Sequence, residues 1–276
     1  MARNAQSFNP RQSMSRQDFE IFHYRDPKMQ EVPLHHHDFY EIYYFLCGNV
    51  EYLVEGRNYV LQPDDILLIS PLELHRPMVA PDEAYERIVL WINADYLGQI
   101  SPDGAVASCF GTGQNLYHCA GSALPALVRQ LAREFQSERS GSALYAQGLF
   151  LQLLAELTRL TEGQTREMDD TRDVPLVSRV LDYINGNYQK EICLEDLSSR
   201  FFVSKFHLSH LFRRSVGTSV YHYVLLKRLQ HAWQMLSEGR SPGDACQSCG
   251  FQDYANFYRS FRRVYGISPQ EAAERQ

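Results

Sequence analysis

Residues 32–48, VPLHHHDFYEIYYFLCG, place three consecutive histidines just ahead of Phe39 and Glu41. Imidazole and carboxylate groups hold transition-metal ions, and the same groups grip polar small molecules through hydrogen bonds. On an extended chain His35, His37, Phe39 and Glu41 share parity and face one way, with His36 facing the other. Four residues of straight strand separate His37 from Glu41 by about 13 Å. A shared ion at about 2 Å from each ligand therefore needs a bend or bulge between them. His75, in LQPDDILLISPLELHRP, is expected to join the set from a neighbouring strand.

A second constellation lies near the other end of the chain. HLSHLFRRSVGTS (207–219) and NFYRSFRRVYGIS (256–268) align without gaps and share F-R-R-x-x-G-x-S. In the first copy Leu208, Leu211, Phe212 and Val216 recur at helical spacing as a buried stripe, opposite Lys205, Phe206, Ser209, His210 and Arg213. Ser204 suits the N-cap, and Gly217 falls where a helix end wants a left-handed residue. In the second copy Phe257, Phe261 and Val264 are expected inside, with Asn256, Arg259 and Arg263 outside and Tyr254 at the entrance. A helix face mixing Arg, Lys, Asn, Ser and His suits base edges and phosphates. A single such face reads as solvated surface; two in register favour nucleic acid. Between them SVYHYVLLKRLQHAWQMLSEG lacks proline and interior glycine, which predicts a helix of about 30 Å. Successive major grooves on one face of DNA lie about 34 Å apart.

The elements that must position these groups follow from composition and periodicity. A chain of 276 residues with 44% apolar content suits two globular domains. Residues 1–173 carry 14 Lys+Arg against 24 Asp+Glu, and residues 174–276 carry 13 against 9. An acidic front and a basic back suggest separate tasks, with a polyanion as partner for the back. No apolar run approaches the roughly 18 residues of a membrane span and the start lacks a secretory segment, so a cytoplasmic protein is expected. Short runs rich in Tyr, Val and Ile (EIYYFLC, VEYLVEG, RNYVL, DILLIS, YERIVLWI) read as strands of a β sandwich or small barrel. Residues 98–120 are ambiguous. Beyond Ser122 the period turns helical, and two leucine-rich helices are expected either to pack on themselves or to form a seam with a second copy. Residues 161–175 read as a linker. The six cysteines are scattered, and the pair CQSC at 246–249 has no matching second pair, so both are expected to be packing thiols.

The run LEDLSSRFFVSKFHLSHLFRRSVGTSVYHYVLLKRLQHAWQML, followed by ACQSCGFQDYANFYRSFRRVYGISP, resembles the DNA-binding domain of the arabinose-regulator (AraC/XylS) transcription factors. That resemblance implies two helix–turn–helix motifs joined by a long helix, binding double-stranded promoter DNA. It places Lys205, Phe206, Ser209 and His210, then Tyr254, Ala255, Asn256 and Arg259, at base-facing positions. Arg213, Arg214, Lys227, Arg262 and Arg263 become phosphate candidates. Ala245–Cys246 departs from the family's usual Ile–Ala pair, and His210 stands where Arg or Gln is common.

The pattern H-x-H-x3-E-x6-G, with a later P-x-D and histidine, resembles the cupin barrel. In metal-binding cupins the positions of His35, His37, Glu41 and His75 are the ligands. In the sensor domains of the regulator family the same pattern binds small effectors, commonly sugars, without an essential metal, and Asp64 replaces a glycine of the catalytic form. The expectation is an α+β multidomain chain: an N-terminal arm (1–18), a cupin-like effector domain (19–120), a helical dimerisation segment (121–162), a linker (163–173) and an all-α DNA-binding domain (174–276). His35, His37, Phe39, Glu41 and His75 are expected to bind a sugar effector, with no metal, cofactor or catalytic residue. A homodimer that recruits RNA polymerase as an activator follows by family habit. The rivals are a metal-dependent cupin enzyme fused to a DNA-binding domain, and a constitutive DNA binder whose front half only dimerises.

Overall fold

The computed structural model describes residues 13–28, 31–80, 83–162 and 176–274. The expected linker, and the expected arm before residue 13, lie outside the described residues. The chain divides into two compact units, residues 1–171 and 172–276.

Among the described residues the first unit has eight strands: β1 (Phe19–Asp26), β2 (Tyr40–Cys47), β3 (Val50–Val54), β4 (Arg57–Val60), β5 (Asp65–Ile69), β6 (His75–Val79), β7 (Tyr85–Ile92) and β8 (Leu116–His118). They form an antiparallel five-stranded sheet, β1-β7-β2-β5-β8, and an antiparallel three-stranded sheet, β4-β3-β6. Alternation along the strands sorts side chains into two cores. Tyr43 and Phe45 of β2, Leu67 and Ile69 of β5 and Tyr85, Val89 and Trp91 of β7 point inward with Tyr52 and Val54 of β3. Ile42, Tyr44, Ile66, Leu68, Ile88, Leu90 and Ile92 point outward, yet they are buried as well.

Helices cover that outer face. The ambiguous stretch resolves into the end of α1 (Ala94–Ile100), all of α2 (Ala105–Phe110) and β8. Then α3 (Leu124–Phe135) and α4 (Ser142–Glu162) lay Leu127, Leu131, Phe150, Leu153 and Leu157 into the same core as the sheet. Phe150 stacks on Phe19 with ring centroids 4.1 Å apart. The helical hairpin thus shares one hydrophobic core with the sheet. Asp64 adopts a left-handed backbone, φ 72°, which explains a glycine's usual place there. Its carboxylate receives the Tyr44 hydroxyl from the sheet and Arg129 Nη2 (2.6 Å) from α3. None of the helices among the described residues is long and apolar enough to cross a membrane.

The second unit is helical: α5 (Leu176–Asn187), α6 (Leu194–Arg200), α7 (Lys205–Val216), α8 (Val220–Ser237), α9 (Pro242–Ser248), α10 (Tyr254–Tyr265) and α11 (Pro269–Ala273). At 18 residues, α8 spans about 27 Å. One end of α8 packs Tyr223 against Phe212 of α7. Its other end joins Leu229, Ala232 and Leu236 to Cys246 and Cys249, to Phe257 and Phe261 of α10, and to Ala272. The CQSC thiols are free and buried in that contact. Arg228 of α8 donates through Nε to the Tyr188 carbonyl and through Nη2 to that of Lys190, each at 2.8 Å. Those bonds anchor the spacer to the chain just after α5.

The two helix–turn–helix units close their turns differently. Gly250, φ 81°, passes so near the Gln189 backbone that a Cβ would meet its carbonyl oxygen at 2.2 Å. In the first unit the matching left-handed residue is Phe202, φ 55°, whose side chain is 94% exposed. Gly250→Ala should therefore destabilise the unit by at least about 2 kcal/mol in a urea melt, since a left-handed backbone alone costs about 1–2. Phe202→Gly should stay within about 1 kcal/mol of the parent.

Candidate functional site

The histidine stretch does not continue the strand. His35 pairs with His75 in a two-way bridge, His35 N to His75 O at 3.2 Å and His75 N to His35 O at 2.9 Å. The chain then bends at Asp38 and Phe39 before β2 begins at Tyr40. Parity therefore fails here, and His36 is buried rather than turned to solvent. The bend brings His37 Nε2 to 3.3 Å from Glu41 Oε2. One ligand atom from each of His37, Glu41 and His75 lies within 4.8 Å of the others, and all three residues are buried.

Each imidazole is held from behind by a backbone carbonyl. His35 Nδ1 meets Pro33 O at 2.9 Å, His37 Nδ1 meets Phe39 O at 2.9 Å and His75 Nδ1 meets Glu73 O at 2.7 Å. A carbonyl only accepts, so each Nδ1 carries a hydrogen, and in the neutral form of such a ring the lone pair lies on Nε2. The Nε2 atoms of His37 and His75 are buried and have no hydrogen-bond partner. Burial, with His37 adding to it, pushes the His35 imidazole down to about 4. Burial and then the neighbouring His35 and His37 hold His75 well below the usual histidine range.

Phe39 departs from its expected role. It is buried and stacked on His37, with centroids 3.8 Å apart and planes 5° from parallel, so its face braces the imidazole instead of lying open to a ligand. Glu41 is oriented by Trp91, its cross-strand partner on β7, whose Nε1 donates to Oε2 at 2.8 Å. Deeper in the interior Tyr43 and Tyr52 lie 4.8 Å apart, centroid to centroid. Burial, reinforced by the Glu41 charge, raises the Tyr52 hydroxyl. The hydroxyls of Tyr43 and Tyr85 are buried without a partner, and Arg87, ion-paired to Asp26, lies over the Tyr85 ring at 4.2 Å. Sequence reasoning misses Trp91, Tyr85 and Arg87. Their shared parity in YERIVLWI is visible, but the register that sets Trp91 opposite Glu41 is not.

In the second unit most of the residues expected to face DNA are exposed. Lys205, Phe206, Ser209 and His210 are exposed on α7, as are Arg213 and Arg214; Tyr254, Ala255, Asn256, Arg259, Arg262 and Arg263 are exposed on α10. Ser204 caps α7 by accepting from His207 N at 3.2 Å, and Asp253 caps α10 by accepting from Asn256 N at 2.7 Å. Lys205 Nζ is paired with Glu195 Oε1 of α6 at 2.7 Å. Two expectations are corrected. Lys227 is only 5% exposed, because it lies on the buried side of α8, so it does not present its charge to a phosphate. Val264 is exposed; in the repeat register Tyr265, which packs on Phe261 at 4.5 Å, holds the place of Val216.

Family models match both units: an AraC-like ligand-binding domain over residues 18–154 and a helix-turn-helix domain over residues 197–275. The chain belongs to the AraC family of transcription regulators, with a small-molecule-binding unit and a DNA-binding unit. It is 26% identical over 232 residues to the HTH-type transcriptional regulator YbfI of Bacillus subtilis, covering 83% of this chain and 82% of that one. It is also 26% identical to the HTH-type transcriptional activator RhaR of Klebsiella pneumoniae, over 87% of each chain. Among solved structures ToxT of Vibrio cholerae aligns over 93% of this chain and 98% of its own, at 13% identity and a TM-score of 0.38.

The depressed histidines fix the sign of a pH dependence. Unfolded histidine titrates near 6.5, whereas folded His35 titrates at about 4 and His75 well below its ordinary value. Between those limits the unfolded chain binds more protons, so stability is full above about 6.5 and falls on acidification, by at most about 1.4 kcal/mol per pH unit per group. Urea melts in chelator should show a lower midpoint at pH 5 than at pH 7.5. His75→Gln should shrink that difference; an unchanged difference would remove His75 as a source.

Proposed function

We propose that this regulator is switched by a sugar-sized polyhydroxyl effector bound inside the β unit, and that it activates transcription from its promoter as a cytoplasmic homodimer with no catalytic activity of its own. The observation carrying the effector reading is the set of buried polar atoms without partners in one interior: Tyr43 and Tyr85 hydroxyls and the Nε2 atoms of His37 and His75. A buried polar atom left unpaired costs about 1–3 kcal/mol, so a ligand that supplies partners binds and stabilises the unit. Hydroxyl groups, which donate and accept, match hydroxyls and imidazole lone pairs alike. Leu144, 80% exposed on α4, with Tyr145 and Leu151 nearby, gives the apolar surface a second copy would cover. Activation is favoured by RhaR, which is named an activator. Effector binding would shift the population of arrangements in which both reading helices of both copies engage their half-sites, and with it the recruitment of RNA polymerase.

Two experiments test this. In a carbohydrate panel at about a hundred times Kd, the right effector should stabilise the full chain by about 2.7 kcal/mol. A panel with no thermal shift for any member rejects the sugar class. For the DNA unit, Arg259→Ala should cost about 1–3 kcal/mol at the cognate promoter and little on random DNA. Arg262→Ala should weaken both alike and flatten the salt dependence. Equal losses for Arg259→Ala on both DNAs would reassign it to the phosphates.

A further inference from the structure

Phe202 and Phe206 are 94% and 83% exposed, the two most exposed large apolar side chains among the described residues. Both belong to the first helix–turn–helix. Phe202 closes its turn in the left-handed region, φ 55°, which penalises a residue carrying a Cβ and which glycine enters freely. An exposed ring on a strained backbone adds nothing to the core of its own unit, and strain of this kind gathers at sites that bind.

The repeat supplies a comparison inside the same chain. Where the first unit has Phe202, Phe206 and His210, the second has Gly250, Ala255 and Arg259 in the repeat register. The second reader is thus small at its tip and carries a guanidinium, which matches the hydrogen-bonding edge of guanine. The first is aromatic. The Phe206 and His210 rings lie along one face of α7, with centroids 6.3 Å apart and planes 17° from parallel. Phe202 stands at the end of the turn, just ahead of the Ser204 cap. The two readers are therefore built for chemically different half-sites.

The surroundings indicate what covers these rings. The α7 sequence, KFHLSHLFRRSV, contains no acidic residue, and it ends in the exposed Arg213 and Arg214. Glu195 of the neighbouring α6 is taken up by Lys205. An apolar tip bordered by cations fits a polyanion that also displays apolar groups. Duplex DNA displays one in its major groove, the C5-methyl of thymine, which phenylalanine reads by apolar contact.

We infer that Phe202 is a specificity-determining residue of the first reader, forming with Phe206 an apolar clamp on thymine methyl groups. The first half-site is then selected by methyls and the second by hydrogen bonds. Each methyl taken out of water changes affinity about fourfold. The inference rests on the DNA-reading role of α7 and adds to it a contact made from the turn.

The test uses the full chain and a duplex that it selects from random-sequence DNA. Thymine is replaced by uracil in one half-site at a time, which keeps every base-pair hydrogen bond and removes only the methyl. In one half-site this should weaken binding about fourfold per contacted methyl. Phe202→Gly and Phe202→Asn both suit a left-handed backbone, and urea melts verify that they fold. Each should bind the thymine duplex more weakly than the parent and the uracil duplex equally well, and adding Phe206→Ala should abolish the thymine preference. Equal losses on the two duplexes would overturn the methyl contact. Parent-like binding to both would also overturn it and leave the rings to a protein partner. A parent that selects a duplex yet does not distinguish thymine from uracil overturns the contact and keeps the DNA reading. One that selects no duplex overturns both.

Discussion

The antiparallel pairing of β2 with β7 is the constraint on which the sensor unit depends. Both strands lie inside the five-stranded sheet and both of their faces are buried. Because a one-residue slip would exchange every inward and outward side chain, the register admits no alternative. In that register Glu41 falls opposite Trp91, Ile42 opposite Leu90 and Tyr43 opposite Val89. Glu41, Tyr43 and Trp91 are thereby sent to the interior, and Ile42 and Leu90 to the helices.

Two kinds of burial then divide the labour. On the helix side apolar area dominates: Phe19, Ile42, Leu68, Leu90, Leu131, Phe150 and Leu153 share one core, and burying each is worth about 1.5–3 kcal/mol. On the interior side the same sheet carries a carboxylate, tyrosines and the Arg87–Asp26 pair, with the imidazoles of His37 and His75 brought up to Glu41, groups that cost stability unless they are partnered. The stable helix-covered face supports an interior that is destabilised by its own chemistry. That is the arrangement expected of a binding site held on a rigid scaffold, where bound ligand recovers part of what burial lost.

The DNA-binding unit solves a different problem: presenting two small helices on a common support. Phe212 and Phe261, in equivalent repeat positions, are fully buried, and both reading helices have a side-chain N-cap and a left-handed glycine at the end. The copies are not identical in strain. Gly250 closes the second turn at the closest approach to Gln189, while Phe202 occupies the left-handed position in the first. Phe202 and Phe206 leave that first reader with two exposed aromatic rings that α10 does not match, apart from the half-exposed Tyr254.

Local pattern makes most of the second unit readable from its residues alone. A helix needs only its own periodicity, its caps and its breakers, and the repeat supplies each of these twice, from Ser204 to Gly217 and again up to Gly266. The one lapse within the repeat, Val264 for Tyr265, comes from counting along a single helix instead of applying the repeat's own register. Lys227 is misplaced because which side of α8 is covered depends on the helices folded against it. The strands of the first unit are also legible, since alternation and turn residues are local. Apart from His75, which is expected beside the other histidines, the meeting of distant segments lies beyond the reach of sequence: Trp91 on Glu41, Phe39 turned onto His37, α3 and α4 merging with the sheet. The residue types at 35, 37, 41 and 75 determined that this region would be polar and reactive toward small ligands. Only the tertiary structure decided how close they stand, because a bend of two residues replaces some 13 Å of strand with a gap of 3.3 Å.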